Sequence, residues 1–224
     1  MKINYYLDWY ENGFTEKLAR LLREDIPHRK SLAFISAQPS EYWDIEVGVN
    51  DVPEKLWFNK ADMHFDEYYL IDHRTSKDDA QKLIKEVGVI FLCGGSPHAQ
   101  KRTLVECCLL DFIKNNDSVV IGTSAGAMNM STKWMWSKHH DLKSKPDVSI
   151  IYDGINLNHL SFEPHFNINN VALIEEDIFP LSEELNIYAS VKDGAMRIKD
   201  GKVDIIGEMY LISNSKIHKL DETL

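Results

Sequence analysis

Short apolar runs alternate along the first half of the chain with stretches in which apolar residues recur every three or four positions. The runs at residues 31–37, 68–72, 87–93 and 118–123 read as strands. Residues 15–24 and 77–86 carry the helical period, and residues 97–115 carry it most strongly: Leu104, Val105, Cys108, Leu109, Phe112 and Ile113 share one face, with Lys101, Glu106 and Lys114 on the other. Strand and helix in alternation predict βαβ units, hence a parallel sheet with helices on both faces.

The pattern changes further along. Residues 167–185 read as a helical stretch interrupted at Pro180. Beyond them the runs 187–191, 195–198 and 203–206 are separated by Lys192-Asp193-Gly194 and Lys199-Asp200-Gly201, whose Asp-Gly pairs signal turns between strands and predict successive hairpins. The expected fold is an α/β three-layer sandwich: a largely parallel sheet, helices on both faces and antiparallel C-terminal edge strands, in one domain over residues 1–224. Residues 38–66 hold Trp43, Trp57 and Phe58 among charges and prolines. Aromatic packing over the sheet edge is the expectation there, with a lid or a homodimer surface as the alternative.

Composition narrows the function classes. The 224 residues are 44% hydrophobic and 27% charged, as in ordinary globular proteins, and the formal charge of −10 argues against a sequence-independent grip on nucleic acid or anionic membrane. Residues 1–9 lack the apolar core of a secretory signal, and no segment reaches the ~18 apolar residues of a membrane span. Cys93, Cys107 and Cys108 are an odd set, two of them adjacent, which suits core thiols in a reducing compartment. A cytoplasmic location is expected.

The chemistry concentrates at Val119-Val120-Ile121-Gly122-Thr123-Ser124-Ala125-Gly126-Ala127, a buried strand turning abruptly into a helix with Ser124 at the apex. Gly122 and Gly126 give the Gly-x-Ser-x-Gly spacing, which lets the turn close and the helix pack tightly. A serine nucleophile needs a base, and of nine histidines His165 stands out: it follows the strand-like Ser161-Phe162-Glu163 and Pro164, where parallel strand ends bring distant residues to one crevice. Phe91-Leu92-Cys93-Gly94-Gly95-Ser96 is a second strand running into paired glycines, whose backbone N–H groups, with that of Ala125, suit a developing oxyanion. A phosphate-binding turn is the competing reading of either glycine loop. His139-His140-Asp141, and His159 with Glu163 and His165, contain metal-ligand residue types without a metal-binding spacing, so neither a metal nor a cofactor is expected.

Gly94-Gly95, Gly122-Thr123-Ser124-Ala125-Gly126-Ala127 and Pro164-His165-Phe166, each after an apolar strand and in this order, resemble the peptidase E and cyanophycinase group of serine peptidases. The resemblance spans residues 31–206 and implies a glutamine-amidotransferase-like α/β fold, with Ser124 as nucleophile, His165 as general base and Gly95 with Ala125 as the oxyanion-hole amides. In that family an acid lies in a strand-Glu-Gly turn after the histidine. Here the turn reads Ser190-Val191-Lys192-Asp193-Gly194, which makes Asp193 the expected partner of His165, with Asp141 and Asp147 as alternatives. Relatives that cleave after an N-terminal aspartate are expected to hold it with an arginine soon after the histidine. Residues 165–186 contain no arginine or lysine, so aspartyl specificity is not expected. Glu175-Glu176-Asp177 reads as a solvated helix face, and Lys133, Lys138, Lys143 and Lys145 as a solvated basic loop.

The combined expectation is a serine-type peptidase acting on short, dipeptide-like substrates through an acyl-enzyme on Ser124. The alternatives are an α/β-hydrolase-type esterase, in which His218 would have to serve as base, and a non-catalytic small-ligand-binding protein on the same fold.

Overall fold

A computed structural model describes residues 2–38, 47–140 and 145–223, so Trp43, Asp141 and Lys143 lie outside the described residues. Five parallel strands form the centre: β1 (Ile3–Leu7), β2 (Ser31–Ile35), β3 (Glu67–Ile71), β4 (Val89–Leu92) and β5 (Val119–Thr123). Interleaved with them are α1 (Glu16–Asp25), α2 (Pro53–Lys60), α3 (Lys77–Glu86), α4 (Pro97–Glu106) and α5 (Leu110–Lys114). After β5 come α6 (Ala125–Met130), β6 (Lys133–Trp136), β7 (Ile150–Asp153) and β8 (Ser161–Glu163). The chain ends in α7 (Val171–Leu173), a π-helical turn (Ile174–Ile178), α8 (Phe179–Ser182), β9 (Ile187–Ser190), β10 (Ala195–Lys199), β11 (Lys202–Ile206), β12 (Met209–Ser213) and β13 (Lys216–Lys219).

Among the described residues the main sheet has the order β11-β10-β1-β5-β4-β2-β3, with β10 and β11 added antiparallel at one side. Successive side chains of a strand face opposite ways, and β2 shows both faces buried. Leu32 and Phe34 enter the core layer under α1 and α2, while Ala33 and Ile35 enter the layer that holds Ile84, Leu104 and Met130. This is the expected sandwich. α1, α3 and α4 begin where side-chain oxygens take up orphan amides: Thr15 accepts from Leu18, Ser76 from Asp79 and Ser96 from Ala99. Trp57 and Phe58 are buried with Phe14 and Phe91 in edge-to-face contacts, as the aromatic-packing expectation requires. None of the described helices is long and apolar enough to cross a membrane.

The structure departs from the sequence reading at four places. β1 was hidden in the sequence because Asn4 and its four aromatic or aliphatic neighbours look mixed, yet it lies inside the sheet, between β10 and β5, with every residue buried. The helix expected over residues 97–115 breaks at Cys108, whose φ of +53° ends α4 before α5 begins. The hairpin expected around Asp193-Gly194 does not form. β9 pairs with β12 and β8 in a separate four-stranded sheet, and the turn carries the chain from that sheet to β10 in the main one. Asp200-Gly201 does close the β10–β11 hairpin. Pro180 does not end the stretch before β9: the backbone stays helical from the π-helical turn into α8, and the irregularity is that turn, which lies just ahead of the proline.

Candidate active site

The register of three adjacent parallel strands brings the site together. Leu7 of β1 lies opposite Thr123 of β5, and Gly122 of β5 opposite Leu92 of β4. Asp8, Ser124 and the Gly94-Gly95 pair therefore emerge side by side just beyond the carboxyl ends of their strands, where open α/β sheets place ligands.

Ser124 has φ +49° and ψ −110°, a conformation that costs a residue with a side chain about 1–3 kcal/mol. The surroundings impose it. Its N–H donates to Leu7 O at 2.9 Å, which extends the β1–β5 ladder by one residue. A Cβ on Gly126 would lie 2.1 Å from Leu92 O, and one on Gly122 2.6 Å from Gly126 C, so the helix after the serine sits against the strand ends at a distance only glycine permits.

His165 follows β8 through Pro164 and also has a positive φ, +56°. Its Nε2 lies 2.8 Å from Ser124 Oγ, and its Nδ1 lies 2.7 Å from Asp8 Oδ1. An imidazole nitrogen facing a carboxylate carries the proton, so Nε2 presents its lone pair and accepts from the serine hydroxyl. The His165 side chain is 54% exposed and that of Asp8 1%, which opens the serine side of the ring to substrate and closes the acid side. Ser124 and His165, both singled out in the sequence, are thus in contact.

The carboxylate is a different one from that expected. Asp193 is the left-handed residue of its turn, φ +61°, and its carbonyl accepts from Tyr10 OH at 3.0 Å. Among the described residues, Asp8 is the acid that pairs with His165. Asp147 is exposed in the loop before β7. Asp8 also accepts from the backbone N–H groups of Trp9 (2.7 Å) and His165 (2.9 Å) and from Ser190 Oγ (2.6 Å). The cue for Asp8 was available: an acid ends an apolar run, the place where a parallel strand delivers a side chain to the crevice.

These contacts set the charges. Burial alone would raise the Asp8 carboxyl, but hydrogen bonds from His165 and Ser190 outweigh it and hold the group below its ordinary 3.8. Burial pulls His165 down, and the hydrogen bond and charge of Asp8, helped by Glu163, carry it above its ordinary 6.5. The result is an ionised acid beside an imidazole whose basicity it raises, which suits a general base.

The glycine turn completes the crevice. Gly94 donates its N–H to Glu54 Oε1 at 2.9 Å, which leaves Gly95, φ +130°, as the member of the pair whose amide is available to a substrate oxygen. Ala125 is the first residue of α6, so its N–H has no acceptor within its own helix. The remaining candidates are engaged elsewhere. His140 pairs with Glu163 and His139 with Glu176, both at 2.9 Å. Lys133 pairs with Glu184 and Lys138 with Glu176 at the surface. Asp177 departs from the solvated face expected of its cluster: it is buried and accepts from Ser137 and Ser149. His218 lies on β13, the outer strand of the four-stranded sheet, opposite Leu211.

Residues 49–206 match the family model described as Peptidase family S51. The fold is similar to that of a peptidase from an acI-B1 actinobacterium, with a TM-score of 0.68 and 18% identity over all of this chain and 96% of that one. It is also similar to a Listeria monocytogenes EGD-e protein described as a peptidase E, with a TM-score of 0.64 and 19% identity over 92% of this chain and 98% of that one. At these identities the likeness to the two structures is one of fold. No curated protein matches the chain.

Proposed function

The chain belongs to peptidase family S51 and is a serine peptidase, and from that premise we propose that it hydrolyses short, dipeptide-like substrates through an acyl-enzyme on Ser124. The observation that carries this reading is the unbroken line Ser124 Oγ, His165 Nε2, His165 Nδ1, Asp8 Oδ1, with links of 2.8 and 2.7 Å. Ser124 attacks the peptide carbonyl as His165 takes its proton, and Asp8 stabilises the imidazolium that forms. The amides of Gly95 and Ala125 receive the oxyanion. His165 then protonates the leaving amine and activates the water that releases the acid product.

Asp8 takes the role that the sequence suggested for Asp193. The crevice at the strand ends, bounded by the glycine turn and the loop of His165, suits a short peptide. The free thiols of Cys93, Cys107 and Cys108 fit a reducing, cytoplasmic setting. An esterase-type arrangement gains no support from His218, which lies on a strand remote in topology from Ser124.

Labelling with a fluorophosphonate tests the reading. Stoichiometric modification at Ser124, abolished by Ser124→Ala and strongly slowed by His165→Ala, is expected; an unlabelled folded protein favours the non-catalytic ligand binder. A panel of dipeptides and simple esters then separates peptidase from esterase.

A further inference from the structure

Glu54 stands in the first turn of α2, 2% exposed, with no cation paired to it among the described residues. A carboxyl in such a place is costly to bury. Burial pushes it up to about 7, although hydrogen bonds from the Gly94 backbone and from its own amide act the other way. The titratable side chain that faces it is Cys93, at the end of β4, whose thiol is itself raised by burial and by Glu54 and so supplies no countercharge.

What the carboxyl does is visible in the strand ladder. Cys93 N–H still donates to Ile35 O at 3.0 Å, but Gly94 N–H is the next amide along, and the acceptor it finds is Glu54 Oε1. Gly94 and Gly95 have no Cβ to limit their rotation, so the direction of the Gly95 amide depends on how firmly the preceding peptide is held. Trp9 bounds Gly94 on one side, where a Cβ would approach Cζ3 to 2.9 Å, and Ala37 bounds Gly95, where a Cβ would approach its Cβ to 3.1 Å. These contacts limit translation of the turn. The hydrogen bond to Glu54 fixes the rotation of the Cys93–Gly94 peptide.

We propose that Glu54 is a positioning residue for the oxyanion site: by pinning the Cys93–Gly94 peptide it aims the following amide, that of Gly95, at the carbonyl oxygen attacked by Ser124. The proposal rests on the serine peptidase reading and assigns Glu54 no contact with substrate. What matters is an acceptor oxygen at the reach of a glutamyl side chain, whatever its charge.

Three variants test it: Glu54→Gln keeps an acceptor at the same reach, Glu54→Asp withdraws it by one methylene, and Glu54→Leu removes it. The readouts are the rate of fluorophosphonate labelling at Ser124, kcat and KM on a dipeptide that the wild type cleaves, and the melting temperature. Glu54→Gln should stay within about threefold of wild type, while Glu54→Asp and Glu54→Leu should lose about 10–100-fold in kcat and in labelling with KM nearly unchanged, because the misplaced amide acts in the transition state. If Glu54→Leu does not fold, Glu54→Asp carries the comparison. Wild-type rates in Glu54→Asp, or a loss in Glu54→Gln as deep as in the other two, overturn the proposal. A wild type that fluorophosphonate does not label overturns instead the reading on which it rests.

Discussion

Asp8 holds His165 at two points, with Oδ1 2.7 Å from the ring Nδ1 and Oδ2 2.9 Å from the backbone N–H of the same residue. One carboxylate thus fixes both the imidazole and the left-handed loop residue that carries it. Asp8→Asn makes a sharp test. Two donors converge on Oδ2, His165 N–H and Ser190 Oγ–H, against the single Trp9 N–H on Oδ1, so the amide oxygen is expected on the Oδ2 side, which turns the NH2 toward Nδ1 and forces the wrong imidazole tautomer. A loss of about 10⁴ in kcat is expected, on the scale of such a replacement in a Ser-His-Asp triad, in a variant that still folds. Asp193→Asn should stay within about twofold, since that carboxylate does not pair with His165. Steady-state kinetics on both variants decide between the two acids.

The pH profile carries a sign. His165 is raised above 6.5, and the base must be neutral, so kcat/KM should fall as pH drops through a value above 6.5. Asp8 lies below 3.8 and stays ionised through that range. In Asp8→Asn the hydrogen bond and charge of Asp8 are gone, burial still lowers the ring and only Glu163 still raises it, so the acid limb of the residual activity should move to lower pH than in the wild type. A limb that stays in place would show that another group controls it.

Gly126 tests the packing behind the nucleophile. A Cβ there would stand 2.1 Å from Leu92 O, a backbone atom that yields only if β4 and α6 separate. Gly126→Ala should cost at least the ~1–3 kcal/mol of an overpacked core and should slow labelling at Ser124 even in the folded fraction. Denaturant unfolding and labelling on one sample check both parts.

What the sequence disclosed follows from how local each feature is. The Ser124 turn was legible because its constraints lie within five residues, and His165 because a proline after a short strand isolates it. Strands β2, β4 and β5 were legible because burial on both faces leaves no polar alternation to confuse the reading. Asp8 was not recognised, since its contact with His165 spans 157 positions and depends on β1 lying beside β5. Asp193 was expected from the strand-Glu-Gly turn of the family it resembles, but here it is the left-handed residue that an Asp-Gly pair marks, and the acid beside His165 is Asp8. The same pair suggested a hairpin, but a turn signal does not say whether the next strand joins the same sheet. β12 and β13, mixed in polarity on a smaller sheet, gave no comparable pattern.

Arg197 offers a test of stability away from the chemistry. Its guanidinium lies between two buried acids: Nε and Nη2 reach both oxygens of Asp25 at 2.7 Å, and Nη1 reaches Asp204 at 2.7 Å. Tyr5 OH and Lys199 Nζ complete the shell of Asp25, so the cluster ties the end of α1 to β1, β10 and β11. Replacing it by methionine keeps bulk but takes the shared guanidinium from two buried carboxylates and leaves Asp25 with Lys199 and Tyr5 and Asp204 with the more distant Lys202, at a cost of up to about 3–5 kcal/mol, or roughly 2–4 °C of Tm for each kcal/mol in a chain of this size. The pH dependence identifies the cause. Burial would raise Asp25, yet Arg197, Lys199 and Tyr5 hold it below 3.8, so the wild type keeps this contribution above that value and loses it as pH falls through the lowered one. In Arg197→Met, Asp25 loses the largest of the influences that hold it down, takes up its proton at higher pH and escapes the penalty. The stability gap between the two proteins should therefore narrow on acidification from pH 7; a constant gap would mean that lost packing, and not lost charge, explains the defect.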